Sequence, residues 1–179
     1  MARQHFQIDP ETTEPPQLLA VRDYWGRKRG TRQMPSRNDI VPADLKAYLP
    51  VLMLMDVIGG GADFRYRLVG SRLQGYFPEN PTGRLMSEAV GPFGAATLQQ
   101  TLGVYRSVIA RKGPLRIRGS GRYYGQEQKL FDALLAPLAE EGAAPNMILG
   151  SFLFAWDTSQ EFSPPQDSNE AALEAALRR

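Results

Sequence analysis

The chain has 179 residues, enough for one domain with a substantial core and short for two. Its 21 basic and 19 acidic side chains leave a net charge of +2, which argues against nucleic acid or an anionic membrane as a partner. It has no cysteine and one histidine, so disulfides, thiolate nucleophiles, cysteine-type zinc sites and iron–sulfur clusters are excluded.

The first residues carry no apolar stretch of signal-peptide type. Residues 1–16 are polar, end in Glu14-Pro15-Pro16, and read as a disordered tail. Residues 17–50 read as an N-terminal helical extension. Its first helix covers 17–29, with the prolines preceding it, Leu18, Val21 and Trp25 on one stripe, and Gly30 as the stop. Pro42 opens a second short helix that Pro50 closes.

Residues 51–58 are nearly all apolar and predict a buried strand. Gly59-Gly60-Gly61 is turn material, and residues 63–70 alternate. That alternation puts Phe64, Tyr66 and Leu68 on one face and Arg65 and Arg67 on the other. The two strands make a hairpin. Ser71-Arg72-Leu73-Gln74 has capping-box spacing and predicts a short helix, and residues 85–90 predict another. Residues 95–112 form the clearest helix, with Leu98, Leu102, Tyr105 and Ile109 on one face and Gly113-Pro114 ending it.

Strands are then expected at 115–124, 128–138 and 146–156, with Gly125-Gln126 joining the first two. Residues 157–179 turn polar and read as a tail, with a short exposed helix at 169–179.

This order of elements, with its local motifs, resembles a PAS domain over about residues 17–156. The motifs are Trp25 with its basic stretch, Met34-Pro35-Ser36-Arg37, Tyr48-Leu49-Pro50, and Phe64 through Arg72. Further on come Thr82-Gly83-Arg84, Ala136-Pro137-Leu138 and Ile148-Leu149-Gly150. They are similar to those of short, stand-alone bacterial PAS-like proteins. The resemblance implies an α+β fold over 51–156: a five-stranded antiparallel sheet with helices on one face. It also implies a sensory or adaptor role; a cytoplasmic location and no enzymatic activity are expected from the lack of cysteine, of a signal-type stretch and of a catalytic arrangement. In that strand order the strands at 63–70 and 115–124 lie on opposite edges, and both are rich in arginine (Arg65 and Arg67; Arg116, Arg118 and Arg122). Charged side chains there either guard the edges or face an anionic partner.

PAS cofactor chemistry is constrained by what is missing. Haem-binding members use an axial histidine in the long helix, and residues 95–112 contain none. A cysteinyl-flavin adduct needs a thiol, and there is none. No nucleophile–base pair, phosphate loop or metal-ligand spacing stands out, so no catalytic and no metal residue is assigned.

A ligand, if bound, is expected between the sheet and the helices at 71–112, lined by Tyr66, Leu68, Arg72, Tyr105, Ile109 and Ile117. The same apolar residues could simply fill a core. Asp132 falls on an apolar face with Leu130 and Leu134 and needs a cationic partner, for which Arg72 is a candidate. Leu18, Val21, Tyr24 and Trp25 either pack on the sheet or contact a second chain, and a homodimer is expected. An unidentified effector protein and a small molecule complete the expected partners. The alternatives are an enzyme, with Arg72, Tyr66 and Asp132 converging on one cavity, and a pure interaction domain without a ligand.

Overall fold

The structure, a computed structural model, describes residues 5–121 and 129–154. The order is β1 (His5–Ile8), α1 (Pro16–Arg29), two 3-10 helices (Arg37–Asp39 and Pro42–Val51), β2 (Leu52–Ile58) and β3 (Asp63–Val69). Then come α2 (Ser71–Gln74), α3 (Met86–Val90), a 3-10 turn (Gly91–Phe93), α4 (Ala95–Arg111), β4 (Leu115–Gly121), β5 (Lys129–Leu138) and β6 (Met147–Phe154). The expected Gly125-Gln126 connection and the helix at 169–179 lie outside the described residues.

The strands form one antiparallel sheet of six, in the order β1-β4-β5-β6-β2-β3. Five of them are the expected ones. The sixth, β1, comes from the stretch read as a disordered tail and pairs with β4, Ile8 opposite Ile117. This corrects the edge assignment too. β3 is an edge strand, but β4 is covered. On the β3 side the edge is also partly closed, because Tyr66 exchanges backbone hydrogen bonds with Gly83 and Arg84.

Both faces of the sheet are covered. The inner face packs under α2, α3 and α4, where Met55, Phe64, Tyr66, Val108, Ile117, Ala133, Leu135 and Ile148 form one buried cluster. The outer face packs under α1 and the 3-10 segments, where Leu18, Trp25, Leu45, Leu54, Leu68, Leu134, Ala136 and Leu149 form another. A strand buried on both faces has no reason to alternate, which explains the continuous apolar run of β2.

α1 forms where expected. Proline suits its first turn, and Arg27, Lys28 and Arg29 complement the dipole in its last. Leu18, Val21, Tyr24 and Trp25 are all buried against the chain's own sheet and loops, so they are not available as a dimer patch. Trp25 Nε1 donates to the Pro137 carbonyl at 2.8 Å, and the Tyr24 hydroxyl accepts from Val41 N at 2.8 Å. Burial pushes the Tyr24 phenol above its usual pKa.

The helix expected at Ser71 exists, but Ser71 is not its cap. Gly70 is, and Gln74 Nε2 donates to Val69 O at 3.0 Å instead of closing a box. Gly70 is needed because the chain passes against the end of the preceding 3-10 helix. A Cβ there would stand 2.5 Å from Leu49 O and even nearer Pro50 O. Both are backbone atoms that cannot rotate away, so Gly70→Ala should destabilise by about 1–3 kcal/mol. A urea midpoint shift checks this, and an unchanged midpoint would show that the two segments separate freely.

Candidate functional site

The predicted ligand-lining residues divide between the two faces. Tyr66, Tyr105, Ile109 and Ile117 do come together in the inner layer. Phe64 and Tyr105 meet with ring centroids 5.2 Å apart, and Tyr66 meets Phe77 edge-on at 5.4 Å. At the rim Tyr76 stacks on Phe154, centroids 3.7 Å apart. Tyr66 and Tyr105 thus set two phenols in mostly apolar surroundings, with Leu102, Val108 and Phe131 beside them. A small molecule that is apolar with one or two polar groups suits such a lining.

Leu68 is not part of it. The β2–β3 register shifts between Leu54 and Met55, so Leu54 pairs with Leu68 whereas Met55 pairs with Tyr66. That bulge consumes Arg67 and reverses the phase of the strand, turning Leu68 to the outer layer and Val69 to the inner one. Arg72 lies exposed on α2.

Asp132 also faces outward, in a polar cluster that the sequence reading did not assemble. Its partner is Arg116, not Arg72. Arg116 Nε meets Oδ1 at 2.9 Å and Nη2 meets Oδ2 at 2.5 Å, a two-pronged pair. Arg116 is 5% exposed. The hydrogen bond to Asp132 holds its pKa above the ordinary arginine value. Arg118 approaches the same carboxylate at 3.6 Å.

Arg116 also donates to the carbonyls of Thr12, at 2.6 Å, and Thr13, at 3.3 Å. It thereby ties the N-terminal segment across the sheet. Arg111 with Asp9 at 2.6 Å and Arg22 with Glu14 at 2.8 Å add two further ties. Beside them Gln17 Nε2 donates to Ser151 Oγ at 3.1 Å. Arg72, Tyr66 and Asp132 therefore do not converge on one cavity, and the arrangement proposed for an enzyme is not formed. Among the described residues no cluster of three potential metal ligands occurs, and no helix is long and apolar enough to cross a membrane.

Five antiparallel strands in the order β4-β5-β6-β2-β3, with the intervening helices roofing one face, define an α+β scaffold of the expected kind. A family model described as "PAS domain" matches residues 13–153, and the chain belongs to that family. Such domains act as sensory modules in signalling. The match takes in α1, the 3-10 segments and strands β2 to β6 up to residue 153, but not β1.

Two solved structures are similar. One is described as the structure of an RNA-binding Light-Oxygen-Voltage receptor, at 15% identity and a TM-score of 0.49, aligned over 98% of this chain and 42% of that one. The other is the Rhodobacter sphaeroides LOV protein, at 13% identity and a TM-score of 0.45, aligned over 92% of both chains. The chain thus spans less than half the length of the first. No curated protein matches.

Proposed function

We propose that this chain is a PAS-type sensory or adaptor module of bacterial signalling, acting in the cytoplasm and not as an enzyme. It binds a small molecule in the inner layer and passes the signal on by changing how it associates with a protein partner. The observation that supports this reading most directly is the family match across residues 13–153, together with the Tyr66–Tyr105 layer under α4. The ligand would touch Tyr66, Tyr105, Ile109 and Ile117. A histidine-ligated haem or a cysteinyl-flavin adduct does not fit the composition, since the single histidine is His5 and there is no cysteine.

A homodimer is part of the proposal. Its contact must lie elsewhere than the inward stripe of α1, because Leu18, Val21, Tyr24 and Trp25 are already covered.

Native mass spectrometry of the purified protein, with an absorption spectrum of the same sample, tests the whole reading. The expected mass is that of two chains plus a co-purifying molecule, and the molecule should be lost in Ile117→Trp, which adds bulk to the inner layer that also holds Tyr105. A bare monomer at every concentration would sink the dimer. A bare chain that takes up nothing from a metabolite extract would sink the ligand and leave the interaction-only alternative.

A further inference from the structure

The Met34-Pro35-Ser36-Arg37 motif is only partly absorbed by the fold. Met34 is buried in the outer core, and the Pro35 carbonyl accepts from Ala139 N at 3.0 Å. Ser36 N donates to Asp39 Oδ2 at 2.7 Å, closing the first turn of the 3-10 helix. Arg37 has no comparable role. Its Nη1 reaches the Ile40 carbonyl at 3.3 Å, a long bond to a neutral acceptor. Its Nε is buried and has no acceptor among the described residues. The nearest acid in sequence, Asp39, is already held by Arg32 at 2.9 Å.

A half-buried cation in this state is costly, because charges removed from water are normally paired. Burial pushes the Arg37 pKa below its ordinary value, and the positive charge of Arg67 pushes it further the same way, against a smaller opposing effect of Tyr24. Arg67 sits at the β3 bulge, out of the regular alternation, and is bound to Asp56 at 3.2 Å.

We infer that Arg37 forms a binding site for a small oxyanion, a carboxylate or phosphate group. With Nη1 engaged by Ile40, the side-on edge formed by Nε and Nη2 is the part of the guanidinium left for two oxygens, the geometry arginine offers such groups. Because Nε is sealed, the anion enters at Nη2 and turns the fork outward, a rotamer change of the kind binding commonly involves. One oxyanion suits a single guanidinium edge, and a net charge of +2 does not call for a polyanion. The site adjoins the outer core, on the other side of the sheet from the Tyr66–Tyr105 layer, and does not depend on the ligand proposed there.

Melting of the full chain in chloride buffer at constant ionic strength, titrated with inorganic phosphate or with succinate, tests the site. A saturable rise in Tm of roughly 5–10 °C is expected at about a hundredfold excess over Kd. Without the anion, Arg37→Met should melt at the same temperature or higher, and it should not respond to either probe. Arg37→Lys, which keeps the charge and loses the fork, should respond with roughly tenfold weaker affinity. A response to phosphate alone assigns the site to phosphate groups, and a response to succinate alone assigns it to carboxylates. No response to either, equal responses in wild type and Arg37→Met, or a markedly lower Tm of Arg37→Met in chloride would overturn the inference. The last result would make Arg37 a structural residue.

Discussion

Arg116→Ala is expected to destabilise the domain by roughly 3 kcal/mol, the lower end of what breaking a buried ion pair costs. The loss comes from what is left behind. Asp132, its side chain 13% exposed, keeps its charge and loses its two-pronged partner. Arg118, at 3.6 Å and 46% exposed, replaces only part of that, which is why the lower end is the better figure. The carbonyls of Thr12 and Thr13 lose their donor as well.

The pair can be separated from the ties by a second variant. Arg116→Met combined with Asp132→Leu removes both charges together and should lie within about 1–2 kcal/mol of wild type, since buried pairs replaced by apolar groups are often neutral. It still lacks the Thr12 and Thr13 bonds. Hydrogen exchange near Ile8 and Asp9 should therefore be faster in both variants, while the urea midpoint recovers only in the double one. Equal midpoints for the single and double variants would mean that the charge of Asp132 is well solvated.

Why Arg116 was not found in the sequence is a matter of register. Both Arg116 and Asp132 were visible as charged residues in strands. Their meeting depends on β4 and β5 pairing so that Arg118 stands opposite Asp132 and Arg116 opposite Leu134. No local signal within either strand sets that offset, since a one-residue slip in pairing changes which side chains meet.

Leu68 failed for a related reason. Alternation predicts a face only while the ladder is regular, and the bulge at Arg67 inserts one residue. β1 was missed because four residues give too short a pattern to separate from a tail. Only the spacing of Phe6 and Ile8 hints at a strand. By contrast α1, α4 and the apolar β2 were legible from start to stop, since length, breakers and burial all agree there. Tyr66, Tyr105, Ile109 and Ile117 were legible for the same reason: they lie on regular stretches. The interior edge of Arg37 was not, because whether an arginine has an acceptor depends on several elements at once.

Trp25→Ala should be as damaging as the loss of Arg116, at about 3–5 kcal/mol, the usual range for emptying a buried aromatic site. Trp25 is 3% exposed, donates to Pro137 O, and carries Arg29 over its ring at 5.7 Å. It is the main bolt between α1 and β5. Trp25→Phe keeps most of the apolar area and removes only the indole donor, so it should cost about 1–3 kcal/mol, the price of leaving a buried carbonyl without its partner.

The form of the alanine variant's unfolding matters as much as its size. The inner layer under α4 does not include Trp25, so it can persist when α1 loosens. If α1 undocks first, its amides should exchange faster than those of β6, and the urea dependence of unfolding should become shallower because less surface remains to be exposed. That outcome would make α1 a separable element whose docking a ligand or partner can bias, as the signalling proposal requires. Unfolding with an unchanged slope and uniform exchange would instead bind α1 and the inner layer into one cooperative unit. The association change would then have to arise from a surface other than the one α1 covers.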